Sequence, residues 1–171
     1  MAVFKTTKGE EFKIYEASRN DGVFMVDGGD RDYIVSDPAL GFEGGEAVCA
    51  KCGEKKIISP LDHESAVMLR KHFPWAGPSR VLDRDKTMGV GDRLGIAGDG
   101  HLRVFKRFPE LTPILAQQSI RELNLTNRTF ADVLDSATFA VFRTGYKTGW
   151  GADGDHVKTA EEVEYALKSG F

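Results

Sequence analysis

The sequence lacks the features of a secreted, membrane-bound or nucleic-acid-binding protein. Its two cysteines among 171 residues are too few for a disulfide framework. No apolar run approaches the roughly 18 residues that a membrane span needs, and residues 1–12 are charged and have no apolar core, unlike a signal peptide. The net charge of -3 gives no basic footprint for phosphates. We therefore expect a cytoplasmic protein that binds neither membrane nor nucleic acid.

Signatures of nucleotide and calcium binding are also incomplete. In the glycine-rich stretch from Gly89 to Gly95, Leu94 stands where the dinucleotide-binding fingerprint needs a third glycine, and the stretch is not a P-loop either. A calcium loop that began at Asp153 would have Lys158 in place of its required glycine. We therefore expect neither a nicotinamide cofactor nor bound calcium.

Residues 1–60 predict a small β-rich lobe. Short runs of β-branched and aromatic residues are separated by Gly, Asn, Asp and Pro, which is typical of strands joined by tight turns. The predicted strands are 11–15, 23–26, 32–35 and 56–58.

Residues 61–171 predict alternating strands and helices. The predicted elements are a helix capped by Asp62 and ended by Pro74, a strand over 111–116, a helix over 130–137 capped by Thr129, and a helix capped by Thr159. Residues 138–142 are β-branched and aromatic enough to compete as a strand. This order of elements predicts an α/β fold with a parallel sheet.

Cys49 and Cys52 have the spacing of half a structural zinc site. No second pair of cysteines exists, and His63 and His72 do not have zinc-finger spacing. A redox C-x-x-C would need a thioredoxin-like context, which the sequence lacks. Two free thiols in a turn are the favoured interpretation.

Three segments supply candidate groups for a polar, anionic ligand. Arg93 has a planar guanidinium that matches a carboxylate in two hydrogen bonds, and Asp92 could accept from sugar hydroxyls. His101 could bind metal or substrate. Gln118 offers a donor and an acceptor, which suits a polyol, and Arg121 could hold an anionic end. The structural alternatives are a turn with an ion pair, a structural histidine and a capped helix start.

Asp155 and His156 lie in the most informative segment, which runs from Gly149 to Lys158. If the chain turns there, both side chains can face one pocket. Histidine is the commonest metal-binding side chain, and a carboxylate that is not bound to metal could act as a base. The alternative is an acidic loop before a capped helix.

Six segments between residues 60 and 171 occur in a specific order. They are His72-Phe-Pro-Trp75, Gly89-Val-Gly-Asp-Arg-Leu-Gly95, Gly100-His101, Ala116-Gln-Gln-Ser-Ile-Arg-Glu122, Arg128-Thr-Phe130 and Gly151-Ala-Asp-Gly-Asp-His-Val-Lys158. No single segment is sufficient, but the ordered set resembles the tagaturonate epimerase family.

The resemblance implies a metal-dependent enzyme that interconverts D-tagaturonate and D-fructuronate, with Zn, Mn, Co or Ni as the divalent cation. It implies a TIM-barrel-like catalytic region, with Asp155 as proton acceptor and His156 as metal ligand. Arg93 and Gln118 become substrate-side candidates. The implied partner is a small hexuronate ketose, and a homo-oligomer is left open.

The length of the chain departs from this family. Its members are much longer, and a TIM barrel needs about 250 residues. We therefore expect a small β-rich N-terminal lobe followed by the first, truncated part of a barrel, with an exposed apolar edge where further strands would pair and little or no activity by itself. The alternatives are a non-catalytic sugar-acid-binding domain and an inactive fragment.

Overall fold

The computed structural model describes residues 2–171, which begin with a six-stranded antiparallel sheet. Its strands are β1 (Val3–Lys5), β2 (Glu11–Ile14), β3 (Val23–Asp27), β4 (Asp32–Ser36), β5 (Gly45–Val48) and β6 (Lys55–Pro60), in the spatial order β1-β2-β3-β4-β6-β5. The four predicted strands are confirmed, whereas the short edge strands β1 and β5 were not predicted.

The two edge strands of this sheet meet, so that the sheet curls on itself. Thr6 and Cys49 form an isolated antiparallel bridge. On either side of it, the Thr7 amide donates to Val48 O at 2.9 Å and the Ala50 amide donates to Lys5 O at 2.8 Å. These bonds satisfy edge groups that would otherwise be open to pairing with another chain.

Both faces of the curled sheet are buried, but in different cores. Phe4, Ile14, Val26 and Val35 pack together within the curl. Val23, Met25 and Ile34 belong to a second cluster, which includes residues of two helices, α1 (His63–His72) and α4 (Phe130–Thr144). This division follows from the alternation of side chains along a strand.

The second sheet has three parallel strands in the order β7-β8-β9. The strands are β7 (Thr87–Gly89), β8 (Thr112–Ser119) and β9 (Gly151–Asp155), and the other helices are α2 (Gly98–Arg107), α3 (Ile120–Thr126) and α5 (Ala160–Lys168). Leu115 and Ala116 of β8 share one buried cluster with residues of α2, α3, α4 and α5. The α/β class with a parallel sheet is therefore confirmed. The three parallel strands β7, β8 and β9 do not form a closed barrel within residues 2–171. The TIM barrel therefore stays a prediction.

The alternative prediction of a strand over residues 138–142 is wrong, because helix α4 continues to Thr144. Thr129 and Asp132 form a capping box at its start, and Gly145 ends it at φ 62°. The segment is apolar on several sides because α4 lies between the two cores: Phe139 and Phe142 belong to the cluster of the first sheet, while other α4 residues belong to that of the second. Residues 138–142 are buried on every side of the helix and therefore show no polar stripe.

The other predicted caps are confirmed. Asp62 Oδ1 accepts a hydrogen bond from the Ser65 amide at 2.9 Å at the start of α1. Thr159 and Glu162 form a capping box at the start of α5, and Gly170 follows the helix with φ 101°. In the part of the chain that the structure describes, no helix combines the length and apolar character needed to cross a bilayer.

Candidate functional site

A cleft of about 720 Å³ opens at the carboxyl ends of β8 and β9. Ser119 and Asp155, the last residues of these two strands, are register partners. The cleft is lined by Arg93, Ser119, Ile120, Arg121, Glu122, Asn124, Leu125, Asp155, His156, Lys158 and Glu162. In parallel α/β sheets this edge is where ligands bind, because the loops that follow the strands converge there.

Asp155 and His156 face this cleft together, and they contact each other. Asp155 Oδ1 lies 2.6 Å from His156 Nδ1, and the side chains are 35% and 74% exposed. His156 adopts a left-handed backbone, with φ 53°, which residues other than glycine rarely adopt. This turn lets two consecutive side chains share one pocket, and such strained positions cluster at functional sites.

The start of α3 also lines the cleft and holds Arg93. Ser119 and Glu122 form a capping box at the start of this helix. The Nε of Arg93, in the loop after β7, donates to Glu122 Oε1 at 2.5 Å. The Arg93 bond holds the pKa of the Glu122 carboxyl below its usual value. The guanidinium is therefore tethered at one nitrogen, and its side chain is still 72% exposed.

Two further cations in the cleft have no ion-pair partner among residues 2–171. Arg121 is in the first turn of α3, and Lys158 precedes α5. The Glu162 carboxylate accepts from the backbone amides of Lys158 and Thr159 rather than from the lysine ammonium. Uncompensated cations beside a cleft favour an anionic ligand.

Asp92 and His101 do not line this cleft. Both border a separate, small cavity of about 10 Å³ between α2 and α4. Asp92 accepts hydrogen bonds from the amides of Ile96 and Ala97 at 3.0 and 2.8 Å, just before α2. Its carboxylate therefore orders the loop that begins this helix.

Gln118 is buried, with 1% exposure, and does not line the cleft. Neither atom of its amide has a hydrogen-bond partner among the described residues. Its neighbour Gln117 instead donates to Asp153 Oδ2 at 3.3 Å. Gly89 makes room for that amide, because a side chain there would approach both Gln117 amide atoms within 2.8 Å.

Several polar groups near the strand ends were not among the predicted site residues. They are Gln117, Ser119, Glu122, Asp153, Lys158 and Glu162. Strand alternation could have indicated some of them, because Gln117 and Gln118 must point to opposite faces of β8. Asp153 and Asp155 are two residues apart on β9 and therefore share a face.

The described residues fit a metal ion only in part. Residues 2–171 include no group of three His, Cys, Asp or Glu side chains that could hold one. Because the Asp155 carboxylate is hydrogen-bonded to Nδ1 of His156, Nε2 is the ring nitrogen that remains for a cation. Carboxylates orient metal-binding histidines in this arrangement. This segment can thus supply one imidazole ligand and its supporting carboxylate.

Comparisons with known proteins agree on one family. The sequence model of a family described as tagaturonate epimerase matches residues 14–171. The tagaturonate/fructuronate epimerase of Thermotoga maritima is 49% identical over 110 residues, which are 64% of this chain and 22% of that protein.

Solved structures of the fructuronate-tagaturonate epimerase UxaE from Cohnella laeviribosi are also similar. The native crystal structure superposes with a TM-score of 0.85 at 41% identity. The crystal structure complexed with one glycerol has a TM-score of 0.85 at 40% identity. Each comparison covers 94% of this chain and 33% of the solved chain, so these 171 residues span about a third of the length of the solved relatives.

Proposed function

This chain belongs to the tagaturonate epimerase family, and from that premise we propose that its cleft forms part of a site that interconverts D-tagaturonate and D-fructuronate. One observation carries the proposal: the hydrogen-bonded Asp155–His156 pair lies in the same cleft as Arg121 and Lys158, two cations without an ion-pair partner among residues 2–171. A base, a candidate metal ligand and a binding site for a carboxylate thus occur together.

The substrate carboxylate suits the cationic side of the cleft. Arg121 and Lys158 supply positive charge, and Arg93 has further donors besides its Nε bond to Glu122. A guanidinium pairs with a carboxylate through two parallel hydrogen bonds. We assign the uronate end of the sugar to these residues and its hydroxyls to the Asp155 side.

The chemistry must invert a carbon that is β to the ketone. The hydrogen on this carbon is not acidic, so enolisation alone cannot exchange it. We propose a retro-aldol route: Asp155 takes the proton of the hydroxyl on that carbon, and the bond to the neighbouring α-carbon breaks. The resulting aldehyde rotates, the α-carbon adds to its other face, and Asp155 returns the proton. No net oxidation occurs.

Asp155 is suited to this proton transfer by its geometry. Its Oδ1 is engaged by His156, while none of the described residues donates to Oδ2. We propose His156 as one ligand of a divalent cation, which would act as a Lewis acid towards the ketone oxygen. Further ligands would come from parts of the longer relatives that these 171 residues do not span.

A chimaera tests the proposal directly. The segment of the Cohnella laeviribosi enzyme that superposes on this chain would be replaced by the residues of this chain, and epimerisation of D-tagaturonate would be assayed with added Mn²⁺, Zn²⁺, Co²⁺ or Ni²⁺. We expect activity that falls by about 100-fold or more in Asp155→Asn, because general-base catalysis contributes on that order. The surface variant Asp30→Asn is the matched control. An Asp155→Asn chimaera with full activity would overturn the assignment.

Binding without catalysis is the second candidate for the 171 residues alone. Two observations favour it. Residues 2–171 contain no cluster of three metal-ligating side chains, whereas the cleft does contain cations that suit a carboxylate. Metal-independent binding of hexuronate by the purified chain, with no turnover, would support this candidate.

A further inference from the structure

Cys49 and Cys52 lie on the tight turn that joins β5 to β6. The Gly53 amide donates to Cys49 O and the Cys49 amide donates to Glu54 O, both at 2.9 Å. Gly53 has φ 73°, which lets the chain reverse. The turn places the two cysteines on one reversal of the chain, three residues apart in sequence.

The turn is held in place from outside as well. Cys49 bridges Thr6 at the seam where the curled sheet closes, and the adjacent Ala50 amide is bonded to Lys5 O at 2.8 Å. Both thiols are nevertheless accessible, since Cys52 is exposed and Cys49 is only half-buried. The pair is therefore preorganised and open to small molecules.

The two thiols differ in their electrostatic surroundings. The neighbouring Cys52 thiol, followed by the backbone amides of Cys52 and Lys51, holds the pKa of the Cys49 thiol below its ordinary value, and the Lys56 ammonium contributes less. The proximity of Cys49 raises the pKa of Cys52. Because the thiolate is the nucleophile in disulfide exchange, Cys49 is the better attacking group. Cys52 can then displace the reagent from a mixed disulfide at Cys49.

We propose that Cys49 and Cys52 form a dithiol modification site that exchanges with low-molecular-weight disulfides. The Cys49 thiolate attacks one sulfur of the reagent, which breaks its S–S bond, forms a mixed disulfide and releases one thiolate. Cys52 loses its proton to solvent and attacks the Cys49 sulfur, which releases the second thiolate. The protein loses two electrons and two protons, and the reagent leaves as two thiols.

Zinc binding is the less favoured chemistry for this pair. A structural zinc site needs four ligands, and no third metal-ligating side chain joins the two cysteines within residues 2–171. The dithiol site is independent of the epimerase proposal, because the turn belongs to the antiparallel sheet and not to the cleft beside β8 and β9.

The test follows the reduced, folded chain by intact mass spectrometry after exposure to glutathione disulfide and an alkylating quench. We expect the wild-type chain to lose two hydrogen atoms without retaining glutathione. Cys52→Ser keeps a hydrogen-bond donor but cannot resolve, so it should accumulate a mixed disulfide at Cys49. Cys49→Ser should form its adduct several-fold more slowly. Circular dichroism checks that each variant is folded.

Three outcomes would overturn the proposal. One is a wild-type chain that retains glutathione and forms no internal disulfide. Another is a Cys49→Ser variant that reacts as fast as Cys52→Ser, since Cys49 would then not be the attacking thiol. The third is a folded wild-type chain that does not react under conditions where the urea-unfolded chain does.

Discussion

Asp155 Oδ1 and His156 Nδ1 lie 2.6 Å apart at the carboxyl end of β9, although consecutive residues of an extended strand would point in opposite directions. The left-handed backbone of His156 makes this contact attainable. The contact also determines which imidazole nitrogen remains for a ligand, and it couples the proposed base to the proposed metal ligand.

This coupling predicts how two variants change metal affinity. His156→Ala should reduce the affinity of the purified chain for Zn²⁺ or Mn²⁺ to that of nonspecific binding. Asp155→Asn should weaken it by about tenfold or more, because removal of a supporting carboxylate typically costs that much. Isothermal titration calorimetry measures both. His101→Ala is the matched control, since His101 lines a different cavity; unchanged affinity in His156→Ala would contradict the ligand assignment.

Arg121 should set the preference for a charged sugar. Arg121→Ala should weaken hexuronate binding by about tenfold, the equivalent of about 1.4 kcal/mol for one charge-assisted hydrogen bond. Binding of the neutral ketohexose should change little, because it has no carboxylate for the guanidinium. Titration of the chimaera with both sugars measures the difference, with Arg31→Ala, in the turn between β3 and β4, as the control. Equal losses for both sugars would argue against a carboxylate contact.

Asp135 should be a large contributor to stability outside the cleft. This buried carboxylate on α4 accepts a hydrogen bond from Arg70 Nη1 and is hydrogen-bonded to His63 Nδ1, both at 2.7 Å. Both partners belong to α1, so these bonds connect α1 to α4. Asp135→Asn leaves the Arg70 guanidinium, 18% exposed, without its counterion. We expect the free energy of unfolding in urea to fall by about 3 kcal/mol.

The control for this variant is Asp30→Asn. The Asp30–Arg31 pair is mostly exposed, with side chains 62% and 68% accessible. Exposed pairs contribute little to stability because solvent screens them. A loss in Asp135→Asn no greater than in Asp30→Asn would show that the α1–α4 contact depends on apolar packing alone.

Tyr15 should make the fold sensitive to alkaline pH. Burial and the hydrogen bond from its hydroxyl to Asp32 Oδ1, at 2.9 Å, raise the pKa of Tyr15 to about 12. In the unfolded chain tyrosine ionises near pH 10. Between these values the unfolded state binds fewer protons than the folded state, so stability falls as pH rises.

Tyr15→Phe isolates this effect. The variant loses the hydrogen bond at neutral pH, but its free energy of unfolding should decline less steeply than that of the wild type between about pH 10 and pH 12. Urea titrations at several pH values across that window measure the two slopes. Identical slopes would mean that Tyr15 does not hold its proton more tightly in the folded state.

Local features were predictable because their causes lie within a few residues. Asp62, Thr129 and Thr159 cap helices through bonds to the third residue that follows each of them. The strand candidates followed from composition and from the turns between them. The error over residues 138–142 has the opposite cause, because the strand propensity of this segment was outweighed by burial between two cores.

The candidate site likewise has some features that the sequence predicts and others that depend on the tertiary structure. The adjacency of Asp155 and His156, the ordered motifs of the family and the helix that begins after Ser119 are properties of the sequence itself. Only the tertiary structure decided that Arg93 and Arg121 share a cleft with Asp155, that Asp92 orders a loop and that Gln118 is buried. Strand pairing and the direction in which each side chain points depend on contacts between residues far apart in the chain, and a local pattern does not encode them.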